Sequence, residues 1–324
     1  MPGDKADVVM FGPKPIIEDA LEKGGFTLHR AFAAPDQEAF ISSIAPKVRA
    51  IAAVAGHGPV NGAIMSRFPK LEIVSSFGVG YDHIDAKWAG AHGIIVTNTP
   101  DVLNEEVADT ALGLLLATVR QLPQAERYLR SGEWEKHGGD YQLTPSLRDR
   151  TVGIVGMGRI GKAIGRRLEA MKVPVVYHSR RPADVAYKHY PNLVEMARAA
   201  DVLLVITPGG AATRNLINAE VLDALGPDGI LINMARGSVV DEAALIKALK
   251  EKVILSAGLD VFANEPKVPR ELIDMDHVVL LPHVGSGSHA TRRAMDELVA
   301  NNIISWFAGK GAITPVAETP VKKP

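Results

Sequence analysis

Along most of the chain, short apolar runs alternate with segments whose apolar residues recur at helical spacing. Runs at 7–11, 26–30, 49–55, 71–77 and 94–97 read as strands, and the stretches 16–21, 37–44, 64–68 and 84–91 between them read as helices. Strand and helix in alternation predict a doubly wound α/β unit with a parallel sheet. The rhythm is interrupted at Thr99-Pro100, where the residue before proline is pushed out of helical geometry. It resumes with strands expected at 151–155, 175–178, 202–207, 230–234, 254–259 and 278–281. A chain of 324 residues suits about two domains, so the two series are read as separate ones.

The second series opens on TVGIVGMGRIGKAIG, residues 151–165. A β-branched apolar run precedes the glycines, helix-spaced apolar residues follow from Lys162, and Gly156, Gly158 and Gly161 fall at the turn between them. In that setting G-x-G-x-x-G has a mechanical meaning. Gly156 allows the tight turn, Gly158 lets a pyrophosphate approach the backbone, and Gly161 lets helix and strand pack closely, while the N–H groups opening the helix face the phosphates. A glycine-rich turn that binds nothing is the alternative; a following strand at 173–177 favours the dinucleotide. The fold class is therefore α/β, with two doubly wound parallel-sheet domains. These are a Rossmann nucleotide-binding domain and, ahead of it, a flavodoxin-like domain expected to hold a substrate.

Between the two series, a helix at about 104–120 is apolar nearly all round through Val107, Ala108, Ala111, Leu112, Leu114, Leu115 and Leu116. It needs cover on more than one face, from a domain core or from an interface. The more polar stretch 121–147, with Trp134 and Tyr141, has no place in a minimal dinucleotide fold and suits an arm used to form a homodimer. A net charge of −1 supplies no overall field for nucleic acid or an anionic membrane. The most apolar segment, 111–119, is too short to cross a bilayer. The chain has no cysteine, which excludes disulfides, thiolate metal sites and a cysteine nucleophile. No His or acid pair has metal-ligand spacing, so no metal is expected. Early charges and a short apolar run at the N-terminus do not make a signal peptide, and a cytoplasmic protein is expected. The tail from Thr314 carries prolines without apolar periodicity and is expected to be loosely held.

Ligands of an open parallel sheet bind outside the carboxyl ends of its strands. Three of those loops each offer one chemically capable residue: Arg236 in NMARGSVVDE, Glu265 in GLDVFANEP and His283 in LLPHVGSGSHATR. Reducing a 2-oxo acid with a nicotinamide needs a cation for the carboxylate and carbonyl, a proton donor for the developing alkoxide, and a group that keeps the donor protonated. Arginine, histidine and glutamate supply these. Taken singly, each has a structural alternative: an arginine paired within the fold, a solvated loop acid, a packed histidine behind Pro282. In the first domain, the loop Ala55-Gly56-His57-Gly58 follows a strand, and Gly56 suits backbone contact with a small oxo acid. His57 is read either as a substrate contact or as an exposed loop histidine.

The segments SFGVGYDHID (76–85), VTNTPDVLNEEVADTALGLLLA (96–117), GIVGMGRIG (153–161), NMARGSVVDEAAL (233–245), GLDVFANEP (258–266) and LPHVGSGSHATR (281–292) together resemble the D-isomer-specific 2-hydroxyacid dehydrogenases. Among these the chain looks most like bacterial glyoxylate/hydroxypyruvate reductases. The resemblance is collinear from about residue 50 to residue 310. It implies that Arg236 binds substrate, that His283 is the acid/base, and that Glu265 orients His283 and raises its pKa. It implies that backbone N–H groups of Val79 and Gly80 complete the carboxylate pocket and that Arg159 and Ile160 meet the pyrophosphate. Thr207 and Pro208 would line the cofactor groove, with Ala235 and Asp260 near the nicotinamide. The C-terminal helix would cross back, giving a discontinuous substrate-binding domain of 1–99 and 284–324 around a Rossmann domain of 100–283, whose dimerisation arm spans about 104–147. One departure is Ala290, where many relatives carry an acid before Thr-Arg.

At the end of the second Rossmann strand, where an Asp or Glu would grip both adenosine ribose hydroxyls, the chain reads Tyr177-His178-Ser179-Arg180-Arg181. With no carboxylate there and two cations present, NADPH is expected to be preferred and NADH to be possible. Reduction of glyoxylate or hydroxypyruvate to the D-2-hydroxy acid is the leading expectation. Hydroxyphenylpyruvate reduction is an alternative. A dinucleotide-sensing, corepressor-like binding protein is the alternative of another class. A dehydrogenase with an added regulatory domain is not expected, since the chain stops shortly after the returning helix.

Overall fold

The computed structural model describes residues 6–54, 56 and 58–319. It divides into two units, the first formed by residues up to Leu103 together with those from Ser288 onward, the second by Asn104–Gly287.

The first unit is built on a five-stranded sheet of β1 (Asp7–Met10), β2 (Thr27–Arg30), β3 (Val48–Val54), β4 (Ile73–Phe77) and β5 (Ile95–Thr97). Every pairing is parallel and the spatial order is β2-β1-β3-β4-β5, the flavodoxin-like order. β4 is covered on both faces, as central parallel strands are, yet it carries Ser75 and Ser76. Ser75 resolves this by donating to the carbonyl of Val299 (3.0 Å) and accepting from the Thr97 hydroxyl (2.9 Å). Val299 lies on the helix His289–Phe307, which Ser288 caps and which packs Met295, Val299 and Ile303 into this unit's core. Ala290 lies exposed in its first turn.

The tail does not follow the expectation of a loosely held segment. From Thr314 to Thr319 it runs beside β5: Pro315 bridges Thr97, Val316 N donates to Val96 O (2.9 Å), and the buried Thr319 hydroxyl accepts from Val96 N (3.0 Å). Periodicity missed this because the anchoring is by backbone and hydroxyl groups and by one buried valine, Val316, which makes no repeating apolar face. Residues 320–324 lie outside the described residues.

The second unit holds seven parallel strands: β6 (Val152–Val155), β7 (Val175–His178), β8 (Lys188–His189), β9 (Val202–Val205), β10 (Ile230–Asn233), β11 (Ser256–Leu259) and β12 (Val279–Leu280). Their order is β12-β11-β10-β9-β6-β7-β8, that of a dinucleotide-binding sheet with one strand added beside β11. β8 was not visible in the sequence because two residues show no period. The helix Asn104–Val119 buries Val107, Ala111, Leu114 and Leu115 against the helix Arg159–Ala170 and β11, within the second unit's own core. The polar stretch behind it forms helices Leu122–Arg130 and Glu133–His137, then runs without regular structure to β6. No helix among the described residues is long and apolar enough to cross a membrane.

Asn302, fully buried, ties the tail to the helix: its Nδ2 donates to Leu298 O and to the Thr314 hydroxyl (2.9 Å each), and its Oδ1 accepts from Ile313 N (2.9 Å) and Thr314 N (3.0 Å). Asn302→Leu keeps the volume and strands those donors, so it is expected to destabilise the first unit by about 2 kcal/mol. Urea unfolding measures this, and an unchanged midpoint would show that the tail is not held through Asn302.

Candidate active site

The loop after β6 sits where strand order reverses, with β7 on one side and β9 on the other. Gly156 adopts φ +108°, which favours glycine, and its N–H donates to His178 O at the end of β7 (2.9 Å). A Cβ on Gly161 would lie 2.1 Å from the Gly156 carbonyl, so the helix can start this close to the strand only without one. Arg159 and Ile160 are the first residues of that helix, whose N-cap, Gly158, offers no side chain to its N–H groups. A Cβ built on Gly158 meets nothing within 4 Å. Donors uncapped by side chains beneath open space fit the phosphates of a dinucleotide. Thr207 and Pro208 follow β9 in a turn that Thr213 braces by donating its hydroxyl to Pro208 O (2.7 Å).

β7 ends at His178, whose Nδ1 contacts Tyr190 O (2.9 Å). In the next turn the Ser179 hydroxyl donates to Arg181 O (2.6 Å), so it shapes the turn, and Arg180 and Arg181 are exposed. His189 on β8 contacts Ser179 O (3.0 Å) while its ring lies against Tyr177. The turn is thus braced from a strand that the sequence had hidden.

Arg236, Glu265 and His283 come from the loops after β10, β11 and β12, which are neighbours in the sheet. Asn233, the buried last residue of β10, accepts from Ala235 N and donates to Arg236 O (3.1 Å each), while Arg236 Nη1 donates to Ala235 O (2.8 Å). Ala235 itself is buried. A Cβ on Gly237 would fall 1.8 Å from the carbonyl carbon of Phe262, so glycine is what lets the loops after β10 and β11 touch. On the β11 loop, Glu265 Oε1 accepts from Phe262 N (3.0 Å) and Oε2 lies 2.7 Å from Nδ1 of His283. Burial alone pushes the Glu265 carboxyl up. The hydrogen bonds from His283 and Phe262 N, with the charges of His283 and Arg236, outweigh it and hold the group below the ordinary glutamate value.

Asp260 is buried, and its oxygens are taken by Val284 N (2.7 Å) and Gly285 N (2.9 Å), while its carbonyl accepts from His283 N (2.9 Å). Burial raises its carboxyl above the ordinary value despite those two bonds. His283 sits at φ +54° between these contacts. Asn233, Gly237 and the bracing part of Asp260 are features that residue chemistry did not reveal; the signal for Asn233 was a polar residue closing the apolar run ILIN.

Val79 and Gly80 lie on the loop after β4 in the first unit, and Gly56 lies exposed beyond β3 at φ +87°. His57 and Ala55 lie outside the described residues.

Residues 112–285 match the model of the D-isomer specific 2-hydroxyacid dehydrogenase, NAD binding domain. The chain belongs to the D-isomer-specific 2-hydroxyacid dehydrogenases. This dehydrogenase is 48% identical to glyoxylate/hydroxypyruvate reductase A of Arabidopsis thaliana over 93% of its own length and 95% of that protein. It is 44% identical to hydroxyphenylpyruvate reductase of Plectranthus scutellarioides over the same shares. A crystal structure of the NADPH-dependent glyoxylate/hydroxypyruvate reductase of Sinorhizobium meliloti, in complex with NADP and malonate, superposes with a TM-score of 0.91 at 48% identity, covering 99% of each chain.

Proposed function

We propose that the enzyme reduces a small 2-oxo acid, glyoxylate or hydroxypyruvate, to the corresponding 2-hydroxy acid, of D configuration where the product is chiral, with NADPH as the preferred reductant. The observation that carries this is the 2.7 Å pair of His283 and Glu265 on loops adjoining that of Arg236, in a dinucleotide-binding unit. Bound NADPH supplies hydride to the carbonyl carbon. Arg236 offers a planar fork to the substrate carboxylate and polarises the carbonyl. Glu265, ionised through the mildly acidic range, receives Nδ1–H of His283 and so leaves Nε2 to carry the proton that the alkoxide takes up. In the first unit, the backbone N–H groups of Val79 and Gly80 are donors for a substrate carboxylate. The glycine loop with Arg159 and Ile160 holds the pyrophosphate, Thr207, Pro208, Ala235 and Asp260 border the cofactor, and Arg180 and Arg181, beside His178 and Ser179, receive the 2'-phosphate.

Exposed apolar residues support a homodimer formed through the arm, where Leu122, Leu129 and Trp134 are each more than half exposed and Leu143 is 96% exposed. Sedimentation equilibrium is expected to give twice the chain mass, and a monomer at micromolar concentration would remove that part of the proposal.

A panel of 2-oxo acids assayed by loss of reduced-cofactor absorbance tests the activity, with glyoxylate and hydroxypyruvate expected to lead. Hydroxyphenylpyruvate in the lead would move the reading toward the Plectranthus scutellarioides relative, and no turnover with any acid would favour a dinucleotide-sensing binding protein. A charge-assisted hydrogen bond is worth roughly 1.5–3 kcal/mol, so Arg180→Ala should lower kcat/KM with NADPH about ten-fold or more and leave NADH nearly unchanged. Equal or better kcat/KM with NADH in the wild type would refute the cofactor assignment.

In Glu265→Gln the imidazole loses the carboxylate that receives its Nδ1–H, so kcat/KM for reduction is expected to fall about ten-fold or more. A kcat/KM equal to that of the wild type would break the assigned pairing.

A further inference from the structure

Two consecutive peptides on the loop after β4 are gripped by the segment that follows β5. Thr99 N donates to the Gly78 carbonyl (2.9 Å) and Gly78 N donates to the Thr99 hydroxyl (3.0 Å). Asn98 Nδ2 donates to the Val79 carbonyl (2.8 Å). A trans peptide is planar, and its C=O and N–H point in opposite directions. A carbonyl held on one side therefore aims the following N–H to the other. The Gly78 carbonyl aims the N–H of Val79, and the Val79 carbonyl aims that of Gly80, both away from Asn98 and Thr99. Successive N–H groups turned the same way form an anion-binding concavity.

Asn98 is itself fixed from the tail. Its N donates to Thr314 O (3.3 Å), and its carbonyl accepts from the Thr314 hydroxyl (2.6 Å). That hydroxyl accepts in turn from Asn302 Nδ2 (2.9 Å), and Thr314 N donates to Asn302 Oδ1 (3.0 Å). The chain Asn302–Thr314–Asn98 thus ends on the Val79–Gly80 peptide, and all of it lies within the first unit.

We propose that Asn98 and Thr314 are positioning residues: through the Gly78 and Val79 carbonyls, the segment they fix presents the N–H groups of Val79 and Gly80 to the carboxylate of the 2-oxo acid. This rests on the function proposed above. It makes the tail beside β5 a working part of substrate recognition as well as a structural strap. Asn98 touches no reacting atom in this account, and its effect passes through the peptide it holds.

The test compares wild type, Asn98→Ala and Thr314→Val, the last a nearly isosteric loss of the hydroxyl. For each, kcat and KM for glyoxylate at saturating NADPH are measured, with Ki for oxalate and Kd for NADPH by fluorescence. Losing one oriented donor is expected to raise KM and the oxalate Ki together by about ten-fold in Asn98→Ala and about three-fold in Thr314→Val. Their kcat and NADPH Kd are expected to stay within about two-fold of wild type. A purely structural role would lower Tm or the active fraction and leave KM and Ki where they were. Wild-type KM and Ki in both variants would overturn the positioning, and Thr314→Val decides alone if Asn98→Ala does not fold. A wild type inert toward every 2-oxo acid would instead strike the proposed function, which keeps the two failures apart.

Discussion

The buried carboxylate of Asp260 is the contact on which the site's geometry depends. Its two oxygens take the N–H groups of Val284 and Gly285, and its carbonyl takes that of His283, so one residue at the end of β11 fixes three consecutive peptides beyond β12. His283 is held at φ +54° by this grip, a conformation that costs a non-glycine residue of order 1 kcal/mol or more. Five residues further along the same loop, Glu265 reaches the ring that Asp260 has placed. A carboxyl whose folded value is raised favours the fold when protonated, and that contribution is lost as pH rises through the folded value. Above that point the ionised carboxylate still accepts from Val284 N and Gly285 N, so the loop geometry is kept.

Chemistry is ordered along the carboxyl edge of the second sheet by strand order alone. Passing from β12 to β7 one meets His283, then Asp260 and Glu265, then Ala235 and Arg236, then Thr207 and Pro208, then the glycine loop, and last the turn of Arg180 and Arg181. Parallel pairing puts all of these loops at one end, because every strand points the same way. Close approach between neighbouring loops is then a matter of single atoms: Gly237 against Phe262, and Gly161 against Gly156, would each be forced apart by a Cβ. A Cβ at Gly158 would meet nothing, so no packing requires glycine there.

What the sequence showed and what it hid divide along a physical line. Hydrophobic period and glycine spacing gave the α/β class, the parallel sheets and the strand–turn–helix of residues 151–165, because burial leaves its mark on residue type. Element ends were less well defined: β9 stops at Val205, so Ile206 and Thr207 already belong to the turn. Bonds from side chains to backbone leave no period at all. That is why the brace of Asn233 on the Arg236 loop, the grip of Asp260, and the tail held by Thr314 and Thr319 were invisible, and why a proline-bearing tail looked loose. His189 belongs with them, being carried on a strand of two residues.

On the proposed function, an arginine fork meets the acid end of the substrate. It does not tell one 2-oxo acid from another, since each offers the same carboxylate and the same adjoining carbonyl. The frame is thus compatible with relatives as different as a glyoxylate/hydroxypyruvate reductase and a hydroxyphenylpyruvate reductase at 48% and 44% identity. Discrimination must then come from side chains around the part of the substrate beyond the carbonyl carbon. A methylene too many or too few in such a space changes binding by only about 1–3 kcal/mol, so neighbouring small acids should be separated by degree. Cofactor choice works differently. On the same proposal a 2'-phosphate is paired with Arg180 and Arg181, and charge pairing on an exposed turn can be rebuilt by changing one or two residues without disturbing the sheet behind it. Substrate breadth and cofactor identity are therefore set by separate parts of the chain, and each can change while the His283–Glu265 pair stays where Asp260 holds it.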